Sequence, residues 1–88
     1  MQGEDVKINF NGISAALISV VTNEGNGYAC YIAQGYGQTA ARMHVATIQS
    51  GTHVSYSISD TEAAVIISNA STGILRGTII PLTGLVSI

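Results

Sequence analysis

Apolar and polar positions alternate along most of this chain with a period of two, and no stretch carries the 3.6-residue period of a helix. The clearest case is His53-Val54-Ser55-Tyr56-Ser57-Ile58-Ser59. There Val54, Tyr56 and Ile58 fall on one side and the serines on the other, which predicts a half-buried strand. Residues 5–10 put Val6, Ile8 and Phe10 on one side of a short opening strand. Residues 13–21 form an apolar run broken only by Ser14 and Ser19, and residues 28–34 read as another strand. Residues 42–46 alternate less cleanly, with Met43 and Val45 on the apolar side. Residues 62–68 hold Val65-Ile66-Ile67, a β-branched run suited to a strand covered on both faces. Residues 73–82 are again β-rich, and Pro81 suits an edge or a strand end.

Turn chemistry separates these runs. Asn11-Gly12 offers two residues tolerant of positive φ and predicts a tight hairpin turn. Asn23-Glu24-Gly25-Asn26-Gly27, Gly35-Tyr36-Gly37, Gln49-Ser50-Gly51, Ser59-Asp60 and Asn69-Ala70-Ser71-Thr72-Gly73 mark the other breaks. Only residues 39–43 could hold a helical turn. The pattern predicts an all-β fold: an antiparallel β-sandwich, jelly-roll-like, of about seven to eight short strands. Strand order stays open, because a jelly roll and an immunoglobulin-like sandwich have similar strand counts.

Size and charge narrow the possibilities. The 88 residues make one domain, 1–88, which by surface scaling buries only about 63% of its unfolded surface. The single cysteine, Cys30, excludes an intrachain disulfide. Charged residues are 9% of the chain, against about 25% in ordinary domains. Lys7, Arg42 and Arg76 cannot build a phosphate-tracking groove, so nucleic acid is not an expected partner. No apolar run reaches the ~18 residues of a membrane span, there is no basic amphipathic stretch, and no cationic start precedes the first apolar region.

Candidate chemistry is sparse. Gly35-Tyr36-Gly37-Gln38-Thr39-Ala40 matches the dinucleotide pattern, but that motif needs a helix within a parallel βαβ unit. The segment after it alternates as a strand, so a glycine-rich turn displaying Tyr36 is the better account. His44 and His53 are the only side chains suited to acid–base work near neutral pH. A serine, a histidine and Asp60 could be assembled into a triad on paper, but no nucleophile elbow supports it. No enzyme, cofactor or resident metal is expected. Cys30 reads as a buried structural thiol, having no cationic neighbour. Asn69-Ala70-Ser71 fits a glycosylation acceptor, a triplet common by chance. Tyrosines can stack on sugar rings, and Tyr36, flanked by glycines, is the best placed. If a glycan binds, the turn residues Asn26, Tyr36, Gln38 and His53 are its expected contacts.

Strands apolar on more than one face, with few charges to solubilise the remainder, predict burial against other copies. A closed homotrimer would supply the missing layer, and nine alanines spread along the strands would admit close approach between sheets. The features occur in a definite order. Ala15-Ala16-Leu17-Ile18-Ser19-Val20-Val21 precedes Gly27-Tyr28-Ala29-Cys30-Tyr31-Ile32, and then come His53-Val54-Ser55-Tyr56-Ser57-Ile58 and Ala64-Val65-Ile66-Ile67-Ser68-Asn69. Ile74-Leu75-Arg76-Gly77-Thr78-Ile79-Ile80-Pro81-Leu82 closes the series. In pattern and composition this resembles the small β-sandwich domains that end bacteriophage tail or head fibres. The resemblance implies a homotrimeric tip or knob, the C-terminal part of a longer fibre protein on a virion or extracellular surface. It also implies fibre assembly and attachment to a cell-surface glycan or protein receptor, and it transfers no site residues. A purely structural trimerisation or shell-decorating domain without ligand is one alternative; a small ligand-binding domain or enzyme, which would need an organised polar pocket that the sequence does not advertise, is the other.

Overall fold

The computed structural model describes residues 5–36, 39–71 and 73–88. Six strands make up the fold: β1 (Asp5–Val21), β2 (Tyr28–Tyr36), β3 (Met43–Ser50), β4 (Val54–Ile58), β5 (Ala64–Asn69) and β6 (Arg76–Ser87). One turn of 3-10 helix, Ala40–Arg42, falls in the only segment where the sequence allowed a helical turn. The all-β, antiparallel expectation holds. The sheets do not separate into a sandwich, however: all six strands belong to one sheet that curls into a nearly closed barrel.

The strand count is six rather than seven or eight because Asn11-Gly12 does not turn. Gly12 has a φ of 68°, but β1 runs through it and fuses the two predicted strands of 5–10 and 13–21. Seventeen extended residues would reach about 53 Å. The longest extent of the molecule is 35 Å, so β1 must bend.

Register shows how. Asn9 pairs with Ala64 of β5 and Ser87 of β6, so those two strands take opposite edges of β1. Residues 15–21 pair with β2 and β6 together. β2 and β5 therefore succeed one another along one edge of β1, and β6 runs the length of the other. The β1–β6 ribbon is shared by two halves, β3-β2-β1-β6 and β4-β5-β1-β6. Its register shifts between Asn11 and Ala16, where Gly84 (φ 71°) lies across from the loosened stretch of β1. Bulges of this kind turn a sheet's corner.

Alternation does the rest. Ile8, Phe10, Ser14, Ala16, Ile18 and Val20 all point inward from β1. They meet Ala29, Tyr31 and Ala33 of β2, Val54 of β4, and Val65 and Ile67 of β5. Tyr31 packs edge-on against Tyr56 with ring centroids 5.0 Å apart, which ties β2 to β4 across the core. Burial, and after it the nearby Tyr56 phenol, raises the Tyr31 hydroxyl's pKa above its ordinary value of 10.0. Five of the ten alanines serve this core: Ala16, Ala29, Ala33, Ala63 and Ala64 are buried inside the chain. Close packing between the two halves, rather than between copies, is their role.

β6 pairs only with β1 among the described residues, so Pro81 sits on an edge strand, the place in a sheet that tolerates proline. The accessible surface, 4987 Å², is that expected of a compact chain this size, about 4,900 Å².

A Cβ at Gly84 would overlap the Ile13 carbonyl oxygen and press on Ser14, whereas one at Gly12 meets open space. Gly12→Ala should therefore cost only the left-handed backbone penalty, about 1–2 kcal/mol. Gly84→Ala adds overpacking and should cost about 3–5 kcal/mol. Urea denaturation of the two variants checks this; equal losses would mean that the corner is not packed as described.

Candidate functional site

Three loops knit together at one end of the barrel. The Gly51 N–H donates to the Tyr28 carbonyl (2.9 Å), the His53 N–H to the Asn26 carbonyl (3.0 Å), and the Ala70 N–H to the His53 carbonyl (2.8 Å). Glu24 sits between them. One carboxylate oxygen accepts from the Asn26 N–H at 2.9 Å, and the other is bonded to His53 Nδ1. Asn26 and His53, both expected at a ligand, are thus brought together around Glu24. The sequence did not single out Glu24 as their link; only its place in the same turn hinted at it. The hydrogen bond from His53, then that from the Asn26 amide, hold the Glu24 carboxyl below its ordinary 4.5, with partial burial opposing.

Asn69 and Ser71 lie at the same end. The Asn69 side chain, 1% exposed, donates to the Gly73 carbonyl (3.1 Å) and accepts from the Ser71 N–H (2.9 Å) and hydroxyl (2.7 Å). The triplet that fits a glycosylation acceptor is a buried side-chain turn in this fold, with its amide already bonded. Gly27 and Gly73 stand where a Cβ would overlap Thr22 and Asn23 side chains, so these loops are closely packed.

Tyr36 lies at the far end of β2, about 26 Å away along the strand. It ends the strand instead of riding on a turn, and it is 54% exposed. The His44 ring stacks on it, with centroids 5.6 Å apart and planes 9° apart, and the Arg42 guanidinium carbon lies 5.5 Å from the ring centroid. The β2–β3 register, which sets His44 across from Gln34, creates this trio; the sequence shows only that two of its members lie near one another. A cleft of about 300 Å³ runs beside it, lined by residues including Ile13, Gln34, Tyr36 and Thr83. Ser14 lies behind it, facing the core, and its buried hydroxyl has no hydrogen-bond partner among the described residues. Gln38 lies outside the described residues. The expected contacts therefore divide between two ends: Asn26 and His53 in a polar clasp, Tyr36 on an open platform.

The remaining candidates resolve as structure. Past Tyr36 the chain makes one 3-10 turn and returns as β3, antiparallel to β2, so the glycine pattern meets no parallel βαβ unit. Among the described residues, no three His, Cys, Asp or Glu side chains cluster as metal ligands. Cys30 is not fully buried: it is half-exposed on the outward side of β2, between Ser19 and Gln49. Lys7 and Glu62 form an exposed ion pair at 2.7 Å, a contact worth little in water.

Comparison of the chain with protein-family models, curated proteins and solved structures returns no match.

The lowered Glu24 pKa fixes a sign. The carboxylate contributes stability at and above about pH 4.5, and this is lost as pH falls through the lower folded-state value. Thermal melts between pH 7 and pH 3 should show the wild type losing more stability on acidification than Glu24→Gln. Parallel curves would mean that the clasp carries none of the acid sensitivity.

Proposed function

We propose that the chain is a non-enzymatic assembly module, a homotrimer that ends or stabilises a virion fibre and carries its attachment to a cell surface. One observation carries this reading: large apolar side chains stand exposed along β1, β2 and β6 where charge is missing. Leu85 is 69% exposed and Ile13 74%, with Val21, Ile32, Ile80 and Leu82 in the same class. Across β2, β3, β6 and residues 13–21 of β1, Arg76 is the one Asp, Glu, Lys or Arg. Isolated exposed leucines need no explanation, but strands carrying this many with so little charge fit an interface. The resemblance to fibre-end domains points the same way.

The attachment half of the proposal rests on the Tyr36 platform. An exposed ring, a nearby guanidinium and a cleft lined by Gln34 and Thr83 suit a carbohydrate, whose ring stacks while its hydroxyls bond. Stacking by His44 supports the alternative, a structural domain with no ligand, because it already occupies part of the tyrosine ring.

Solution mass by light scattering over a dilution series tests assembly. A constant mass near three times 9.1 kDa is expected, and a well-behaved monomer would overturn the reading. For attachment, Tyr36→Ala should abolish glycan-array binding by the folded oligomer while leaving its melting temperature unchanged. A matched loss of both, or no array signal from the wild type, would move Tyr36 to a structural role.

A further inference from the structure

We propose that the Tyr36 end takes an acidic sugar, a pyranose carrying a single carboxylate, and that the Arg42 guanidinium holds that carboxylate. This rests on the reading of the Tyr36 end as an attachment site and names its ligand class. The local backbone puts the charge there. The Arg42 N–H donates to the Thr39 carbonyl at 3.1 Å, within the 3-10 turn that leads into β3. The turn brings the chain back beside the end of β2, and the Arg42 guanidinium carbon comes to lie over the Tyr36 ring, 5.5 Å from its centroid.

Arg42 is exposed, and its charge is uncompensated. Among the described residues its side chain forms no ion pair and no hydrogen bond, and the tyrosine ring is its one partner. Glu62 is taken by Lys7, and Glu24 by His53. No Asp or Glu stands on β2, β3, β6 or residues 13–21 of β1. A cation–π contact orients the guanidinium but gives its five N–H donors no acceptor. A carboxylate fits that fork with two parallel hydrogen bonds.

The surroundings select a sugar among anions. The cleft beside Tyr36, about 300 Å³, is at the lower end of small-molecule sites and suits one sugar unit. Gln34 and Thr83 offer donors and acceptors to hydroxyls, and Ile13, 74% exposed, offers an apolar patch to the C–H face of the ring. One cation matches one carboxylate. A phosphate monoester, at about −1.5 to −2, would leave negative charge uncovered. A polyanion would need further cations, and Arg76 lies at the other end of the same half, across from Val21. The whole chain carries a net charge of −2, so a preference for an anion has to arise locally.

Array binding by the full 88-residue chain tests this. The spots pair uronic-acid and sialic-acid oligosaccharides with their carboxyl-reduced forms, which keep the rings and linkages and replace the carboxylate by a hydroxymethyl group. The acid forms should bind about tenfold or more tightly than the reduced ones. Arg42→Gln should weaken binding of the acid forms by a similar factor and close the gap, at an unchanged melting temperature. Arg76→Gln removes the same charge away from the site and should keep the preference. Equal binding of acid and reduced forms would overturn the carboxylate and leave the attachment site standing. Equal losses from Arg42→Gln and Arg76→Gln would overturn Arg42 as its partner. An array silent for neutral glycans as well would overturn the attachment reading and this inference with it. Should Arg42→Gln fail to fold, the comparison of acid with reduced forms on the wild type still decides.

Discussion

The bend in the β1–β6 ribbon is the constraint on which the other features depend. A strand of 17 residues in a molecule 35 Å long has to turn, and a turned strand can serve two halves of one sheet. Gly12 and Gly84 allow it, because both backbones are left-handed and Gly84 is pressed against the Ile13 carbonyl. The side-chain alternation of β1 survives the corner, so Phe10 before it and Ser14 after it still face the same interior. Had the parity slipped by one, Ile18 and Val20 would have moved outside and the core would have been lost.

That corner also sets the division of polar chemistry. Because β2 and β5 diverge along one edge of β1, the loops beyond them must be tied back together at the ends. Glu24, Asn26 and His53 make one such tie and Asn69 with Ser71 another, which is why polar residues that look available in sequence are already bonded in the fold. At the Tyr36 end a cluster of polar and aromatic side chains remains open to solvent.

Period-two alternation made the fold class and most strand positions legible, because it is a local property that burial leaves visible. β4 shows this directly: Val54 is buried while Ser55 and Ser57 are exposed, as their alternation implied. Asn11-Gly12 misled because a glycine at positive φ serves a hairpin turn and a strand bulge equally, and the choice is made by Gly84, far along the chain on β6. The same non-locality hid the partners of the site residues. That Tyr36 would stack on His44, or His53 reach Glu24, depends on register and loop approach, which short-range pattern leaves unfixed. Cys30 was misplaced by one face for a related reason: its neighbours Ala29 and Tyr31 are the core residues, and an apolar run does not say which of its two sides is in.

The two outward surfaces of the molecule differ in a way that total area does not reveal. Its accessible surface is ordinary for its size, so nothing is unusually extended. What is unusual is where polarity has been placed. The half built on β4 and β5 presents Ser55, Ser57, Lys7 and Glu62, a surface that water solvates well. The half built on β2 and β6 presents isoleucine, leucine and alanine in register, with serine, threonine and glutamine between them. Serine and threonine in those rows cost little when covered if a neighbouring chain offers a partner, whereas lysine or glutamate there would forbid close approach. The asymmetry is what the proposed assembly requires, one outward side solvated and the other fit to be covered.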